Sequence, residues 1–148
     1  MSSLELPEKP LIGALLRLPA QAVHRRIVAG LNEAGFRDLR LPHMAVLQYP
    51  GPDGCRPHDL AARAGTSKQA MNQLLGSLER LGYVTRRDAE GGGRARVVRF
   101  TRRGQAAWAK VHEVLAEIET EWQATLGDRE FRRLKELLCQ VWTSDLVP

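Results

Sequence analysis

Residues 57–82 constrain this chain more than any other stretch. Pro57–Ala64 reads as a short helix, with Pro57 in its first turn and Leu60 and Ala61 inward. Gly65 stops it. Ser67 then stands where a helix N-cap belongs. The helix that follows sets Met71, Leu74, Leu75, Leu78 and Leu81 on one face. Gln69, Asn72, Gln73, Gly76 and Arg80 fall on the other. Gly82 ends it. The link Gly65-Thr66 is too short for anything but an angled helix pair, which is the helix-turn-helix arrangement. Two segments of strand composition follow at once, Tyr83–Arg87 and Arg96–Thr101, around the tip Glu90-Gly91-Gly92-Gly93-Arg94. Helix-turn-helix plus hairpin is a winged helix.

The charge distribution agrees with that arrangement. The 148 residues carry a formal net +5, which alone decides little. Residues 56–104 hold eleven Lys/Arg against four Asp/Glu, a net +7, whereas residues 105–148 are net −3. The winged segment is thus the one that attracts polyanions. The competing reading is a solvated basic face. An α-helix fits the DNA major groove, and its N-terminal side chains reach base edges. An arginine-bearing loop can enter the narrower minor groove beside it.

Helical periods flank this segment. From Pro10 to Ala34, Leu11, Leu15, Leu18, Ala22, Ile27 and Leu31 recur at helical intervals. Pro19 predicts a kink or a fresh helix start at Leu18–Pro19. Pro42–Tyr49 reads as a helix of two turns, and Pro50–Gly54 as a turn cluster. Arg103–Thr125 is helical through Val111, Val114, Leu115, Ile118 and Trp122. Asp128 is expected to cap a last helix carrying Phe131, Leu134, Leu137, Leu138, Val141 and Trp142. The expected fold class is mainly α with a small β-hairpin wing.

Taken in order, Asp59–Ser67 (DLAARAGTS), Leu74–Val84 (LLGSLERLGYV) and Val97–Gly104 (VVRFTRRG) resemble the MarR family of bacterial transcription regulators. The likeness in layout covers nearly the whole chain. It implies one MarR-type domain over 1–148, with dimerisation helices at 10–34 and 105–148 around a winged helix-turn-helix at 42–104. It further implies a homodimer on a pseudo-palindromic duplex, acting as a repressor relieved by a small ligand. Trp122, Phe131 and Trp142 can serve either as intrachain core or as dimer contacts.

Candidate DNA-binding residues follow from the helix and the wing. Gln69, Asn72 and Gln73 are base-reading candidates, because an amide can pair with adenine N6 and N7. The alternative is a generic polar helix face. Ser67 and Lys68 open the same helix, where a cap hydroxyl and helix N-terminus suit a phosphate oxygen. Arg94 and Arg96 belong to the wing. Family wings carry an Asp-Arg-Arg run that falls here on Gly92-Gly93-Arg94, so only its last arginine survives and a more mobile tip is expected. Arg86, Arg87 and Arg99 read as phosphate contacts or solvated strand residues.

Other chemistry is poorly supported. No nucleophile–base series, GxxxxGK[ST] loop or paired carboxylates stand out, so no enzyme is expected. His24, His43, His58 and His112 lie on four separate elements without metal-ligand spacing, so no metal or other cofactor is expected. The resemblance implies that small anions or aromatics bind between the dimerisation helices and the winged helix, where His24 and Arg25 could line a pocket. Some family members sense oxidants through a cysteine near the first helix. Neither Cys55 nor Cys139 matches that placement, and both are read as structural or incidental. Two cysteines are too few for a disulfide scaffold. Without a signal-peptide pattern or an apolar run of membrane-spanning length, a cytoplasmic protein is expected. The alternative function is a winged helix that binds protein, or nucleic acid without sequence preference. The polar Gln69-Asn72-Gln73 face argues against the former.

Overall fold

The computed structural model describes residues 8–88 and 96–147. Its elements are α1 (Ile12–Glu33), a 3-10 turn (Leu41–Ala45), α2 (Pro57–Ala64), α3 (Lys68–Arg80), β1 (Val84–Asp88), β2 (Arg96–Phe100), α4 (Arg102–Leu126) and α5 (Asp128–Trp142). The wing tip, with Arg94, lies outside the described residues.

Two compact units divide the chain, residues 1–112 and 113–148. In the first, α2 and α3 meet across Gly65. That residue sits at φ +63, a left-handed conformation that glycine adopts without a Cβ penalty. The Gly65 and Thr66 amides donate to Ala62 and Ala61 carbonyls, so the last turn of α2 is satisfied before α3 begins. Leu60 and Ala61 of α2, and Met71, Leu75 and Leu78 of α3, are buried, as their spacing predicts. Leu31, Leu39, Val46, Tyr83, Val84, Val98 and Val111 are buried in the same unit. Replacing a fully buried leucine such as Leu75 with alanine typically costs about 2–5 kcal/mol.

The strands pair antiparallel, with Val84 opposite Phe100 and Asp88 opposite Arg96. The Pro/Gly turn before α2 is part of the wing's root. Gly54 N donates to Val98 O at 2.7 Å, Val98 N to Cys55 O at 2.8 Å, and Phe100 N to Asp53 Oδ1 at 2.7 Å. The outer edge of β2 is therefore covered rather than left as unpaired backbone. Thr101 Oγ1 accepts from Gly104 N at 3.0 Å and so caps α4. Gly104 itself passes close against the Tyr83 carbonyl, where a Cβ would collide with backbone.

Three local expectations are corrected. The helix at Pro42–Tyr49 is a 3-10 turn over Leu41–Ala45 only. Arg40 N donates to His43 Nδ1 at 3.0 Å and His43 N to Arg40 O at 3.0 Å, which fixes a tight three-residue turn. Pro19 gives no fresh start: α1 runs continuously from Ile12 to Glu33 with Pro19 inside. Asp128 is the first residue of α5 rather than its cap. Gly127 holds the cap position at φ +88, and Asp128 accepts from Gln123 Nε2 at 2.9 Å.

In the second unit Val114, Ile118 and Phe131 are buried. Lys135 pairs with Glu119 at 2.8 Å and lies over the Phe131 ring. The apolar stripe of α5 is otherwise open: Leu137, Leu138, Val141 and Trp142 are exposed. The same holds for the first turns of α1, where Leu11, Ile12, Leu15, Leu16 and Leu18 are exposed and only Ile27 and Leu31 are buried.

Candidate nucleic-acid interface

α3 presents its polar face outward, as the helical period requires. Ser67 is its N-cap, and its Oγ accepts from Ala70 N at 3.0 Å. One of the four orphan amides of the first turn is thereby satisfied, and the others remain at the positive end of the helix dipole. Lys68, Gln69, Asn72 and Gln73 are exposed, Met71 beneath them is buried, and Ala70 is intermediate. The structure thus brings Ser67, Lys68, Gln69, Asn72 and Gln73 onto one open helix end.

These side chains are not all unengaged. Arg86 of β1 donates from Nη1 to Asn72 Oδ1 at 3.3 Å. Its Nε reaches Glu79 Oε2 at 3.5 Å, and its backbone N donates to the same oxygen at 3.2 Å. Strand β1 is therefore tied to α3. The sequence reading of Arg86 as a phosphate contact or solvated residue did not anticipate this link, which spans fourteen residues. The only signal was the 3.6-residue period that places Glu79 near Asn72's face, about two turns further on. Arg99 is drawn instead to Asp53, at 3.5 Å. Arg96 is exposed at the distal end of β2, opposite Asp88, where the hairpin leads into the tip.

The last turn of α3 is anchored from below. His43 is buried, and its Nε2 lies 3.1 Å from Ser77 Oγ. Its Nδ1 accepts from Arg40 N, so the ring proton resides on Nε2 and is donated to Ser77. Burial lowers the His43 pKa, Asp38 opposes that and Arg40 adds to it, with a net value below the ordinary histidine. Beyond α3, Asp38 accepts from Tyr83 and pairs with Arg103, whose guanidinium also stacks over the Tyr83 ring at 4.4 Å.

Away from α3, His24 and Arg25 line one cavity of about 260 Å³ together with Gln21 and Leu41. A second, of about 360 Å³, is bounded by Val28, Asn32, Arg37 and Leu39–Pro42. Among the described residues, no group of three or more His, Cys, Asp or Glu could hold a metal ion. None of the described helices is long and apolar enough to cross a membrane.

A capped helix with a polar, open N-terminal face, backed by a second helix and followed by a basic antiparallel hairpin, defines a winged helix-turn-helix protein. The chain belongs to the MarR family of transcriptional regulators. The MarR family model matches residues 38–95. The HTH-type transcriptional repressor Rv2887 of Mycobacterium tuberculosis is 30% identical over 131 residues, 86% of this chain and 92% of that one. The crystal structure of Rv2887 with salicylic acid superposes with a TM-score of 0.66 at 27% identity, covering 92% of this chain and 99% of that one. The repressor CouR bound to a 23-mer DNA duplex shares the fold, with a TM-score of 0.68 at 19% identity over 95% of this chain and 99% of that one.

Proposed function

We propose that this chain is a homodimeric, sequence-specific DNA-binding repressor, released from DNA by a small aromatic or anionic ligand. The observation that carries the DNA-binding reading is the open end of α3, where Ser67, Lys68, Gln69, Asn72 and Gln73 stand together within the most basic third of the sequence. Gln69, Asn72 and Gln73 meet base edges, Ser67 and Lys68 meet phosphate, and Arg94 and Arg96 carry the wing to the adjacent minor groove. The two open apolar stretches, at the start of α1 and along α5, support pairing with a second copy. A symmetric pair sets two α3 helices on successive major grooves, about 34 Å apart. The chain acts by binding and release rather than by catalysis, and a cytoplasmic setting follows from that role.

Release works by population shift. A ligand that fits one spacing of the two recognition helices better than another moves the pair away from the DNA-competent spacing. The cavity at Gln21, His24, Arg25 and Leu41 supports an anion there, with the Arg25 guanidinium as its counter-charge. The crystallised complex of Rv2887 with salicylic acid favours an aromatic carboxylate as the ligand class.

Fluorescence anisotropy on the chain's own upstream DNA tests the reading. Affinity for that DNA is expected to exceed affinity for random duplex at every salt concentration, and to fall steeply with salt. Salicylate is expected to weaken the specific complex. Equal affinity for both DNAs throughout would leave only a nonspecific nucleic-acid or protein-binding module.

A further inference from the structure

The contact between Arg86 and Asn72 bears on which base the recognition helix reads. A guanidinium carries hydrogen-bond donors and no acceptor. Whichever end of the Asn72 amide lies 3.3 Å from Arg86 Nη1 must therefore be its oxygen. Glu79 holds Arg86 in turn, through both the guanidinium Nε and the backbone N. The arginine is thus fixed at one end to α3 through a carboxylate and at the other through the amide oxygen. Arg86 takes one of the two lone pairs of Oδ1 and holds the oxygen toward its guanidinium, so the NH2 group is the end of the Asn72 amide without a hydrogen-bond partner among the described residues.

An amide reads adenine by a two-point match: its oxygen accepts from N6 and its NH2 donates to N7. Guanine presents two acceptors side by side in the major groove, O6 and N7, and no donor. An amide whose oxygen is turned aside onto an arginine presents its NH2 group to the base edge, and two acceptors match that donor better than adenine's donor-acceptor pair does. We propose that Arg86 is a specificity-determining positioning residue: by holding Asn72 Oδ1 it leaves the amide's donors outward, so that position 72 reads guanine rather than adenine. The inference rests on the DNA-reading role of α3 proposed above.

The test is an unbiased selection of random duplexes with the full chain, run on the wild type, Asn72→Ala, Arg86→Met and Arg86→Lys. The base pair whose preference disappears in Asn72→Ala marks the position that faces Asn72. In the wild type that pair is expected to be G·C, preferred at least about fivefold over A·T, the lower end of discrimination by a good base contact. Arg86→Lys, which also offers only donors, is expected to keep the preference. Arg86→Met frees the amide to turn, so the preference is lost or moves to A·T. A·T at that position in the wild type overturns the proposal, and so does an unchanged G·C preference in Arg86→Met. So does an Asn72→Ala selection that alters no position. A uniform loss of affinity in Arg86→Met with an unaltered preference assigns Arg86 to phosphate instead. If Arg86→Met does not fold, the wild-type and Asn72→Ala selections alone decide between G·C and A·T. A wild-type chain that enriches no sequence at all overturns the DNA-reading role itself, and the proposal with it.

Discussion

Tyr83 donates its hydroxyl hydrogen to Asp38 Oδ1 across 2.5 Å, and Arg103 reaches the other oxygen of the same carboxylate at 2.9 Å. Three segments remote in sequence are joined there: the loop after α1, the entry to β1 and the first turn of α4. Arg103 also donates to the Leu81 carbonyl, so the network reaches the C-terminal end of α3. Burial alone would raise the Asp38 carboxyl. The Tyr83 hydrogen bond and the Arg103 charge outweigh it and hold its pKa below the ordinary carboxylate value. Burial and the Asp38 contact in turn push the Tyr83 hydroxyl up, so it stays a donor.

A carboxyl whose pKa is lower in the folded state adds stability above its unfolded value of about 3.9, and that contribution is lost as pH falls through the folded value. Urea midpoints taken downward from about pH 5 are therefore expected to fall more steeply for the wild type than for Asp38→Asn. Tyr83→Phe removes one hydrogen bond to a charged group and is expected to cost about 1.5–3 kcal/mol at neutral pH. A Tyr83→Phe chain as stable as the wild type at pH 7 would show that the contact contributes nothing.

His43 gives a second and higher pH window. Its Nδ1 is occupied as an acceptor from Arg40 N and its Nε2–H by Ser77, so a second proton has no partner to receive it. Burial, with Arg40 opposing and Asp38 favouring the cation, leaves the folded pKa below the ordinary histidine value. Here the unfolded chain takes up the proton first, at about 6.5. Stability is full above that pH and declines as pH falls from there toward the folded value. Chemical denaturation between about pH 8 and pH 5 checks this. The wild type is expected to lose stability across the interval, and His43→Gln to show a flatter profile there while leaving the Asp38 window in place.

Ser67 combines two roles that substitutions can separate. As the N-cap of α3 it satisfies Ala70 N, so Ser67→Ala is expected to cost about 1 kcal/mol in unfolding free energy. Ser67→Asp keeps a capping oxygen and adds favourable charge at the helix N-terminus, so its thermal midpoint should match the wild type or exceed it. The same carboxylate repels phosphate. DNA affinity, read by anisotropy at fixed salt, is expected to fall in Ser67→Asp despite the intact fold. Unimpaired DNA binding by Ser67→Asp would remove Ser67 from the phosphate-facing set.

Legibility in the sequence tracked the distance over which each signal acts. α2, α3 and their turn could be read because Pro57, Gly65, Ser67 and Gly82 act on the residues beside them, and because Met71, Leu75 and Leu78 repeat at the helical period. The hairpin could be read from β-branched composition around a glycine run. The 3-10 turn at Leu41–Ala45 could not, because its geometry is set by a bond from Arg40 to the His43 ring and by the distant Ser77 hydroxyl. The sequence showed Asp53 only as a turn residue, although it binds the Phe100 amide forty-seven positions away. Asn72 was recognised as exposed and polar, but the partner that orients it lies on another element and leaves no periodic trace. The open apolar faces of α1 and α5 show the same limit. Their spacing reads as a core stripe whether the partner surface is in the same chain or in a second copy.

Gln73 offers the simplest separation of specific from general binding. It is exposed on the open face of α3, and its side chain has no hydrogen-bond partner among the described residues. It differs in this from Asn72, whose oxygen Arg86 holds. Both ends of the Gln73 amide are thus available for a two-point match to a base edge, which is worth about 1–3 kcal/mol of discrimination. Gln73→Ala is expected to lose that much on the selected site, roughly a fivefold to hundredfold weakening, and much less on random duplex. Its salt dependence should equal the wild type's, because no phosphate charge is removed. Lys68→Ala is the matched control: affinity falls about equally on both DNAs and the salt slope drops by about one. Titrations of both variants on both duplexes over a salt series check the contrast. Equal losses for Gln73→Ala on selected and random DNA would take base reading away from this position.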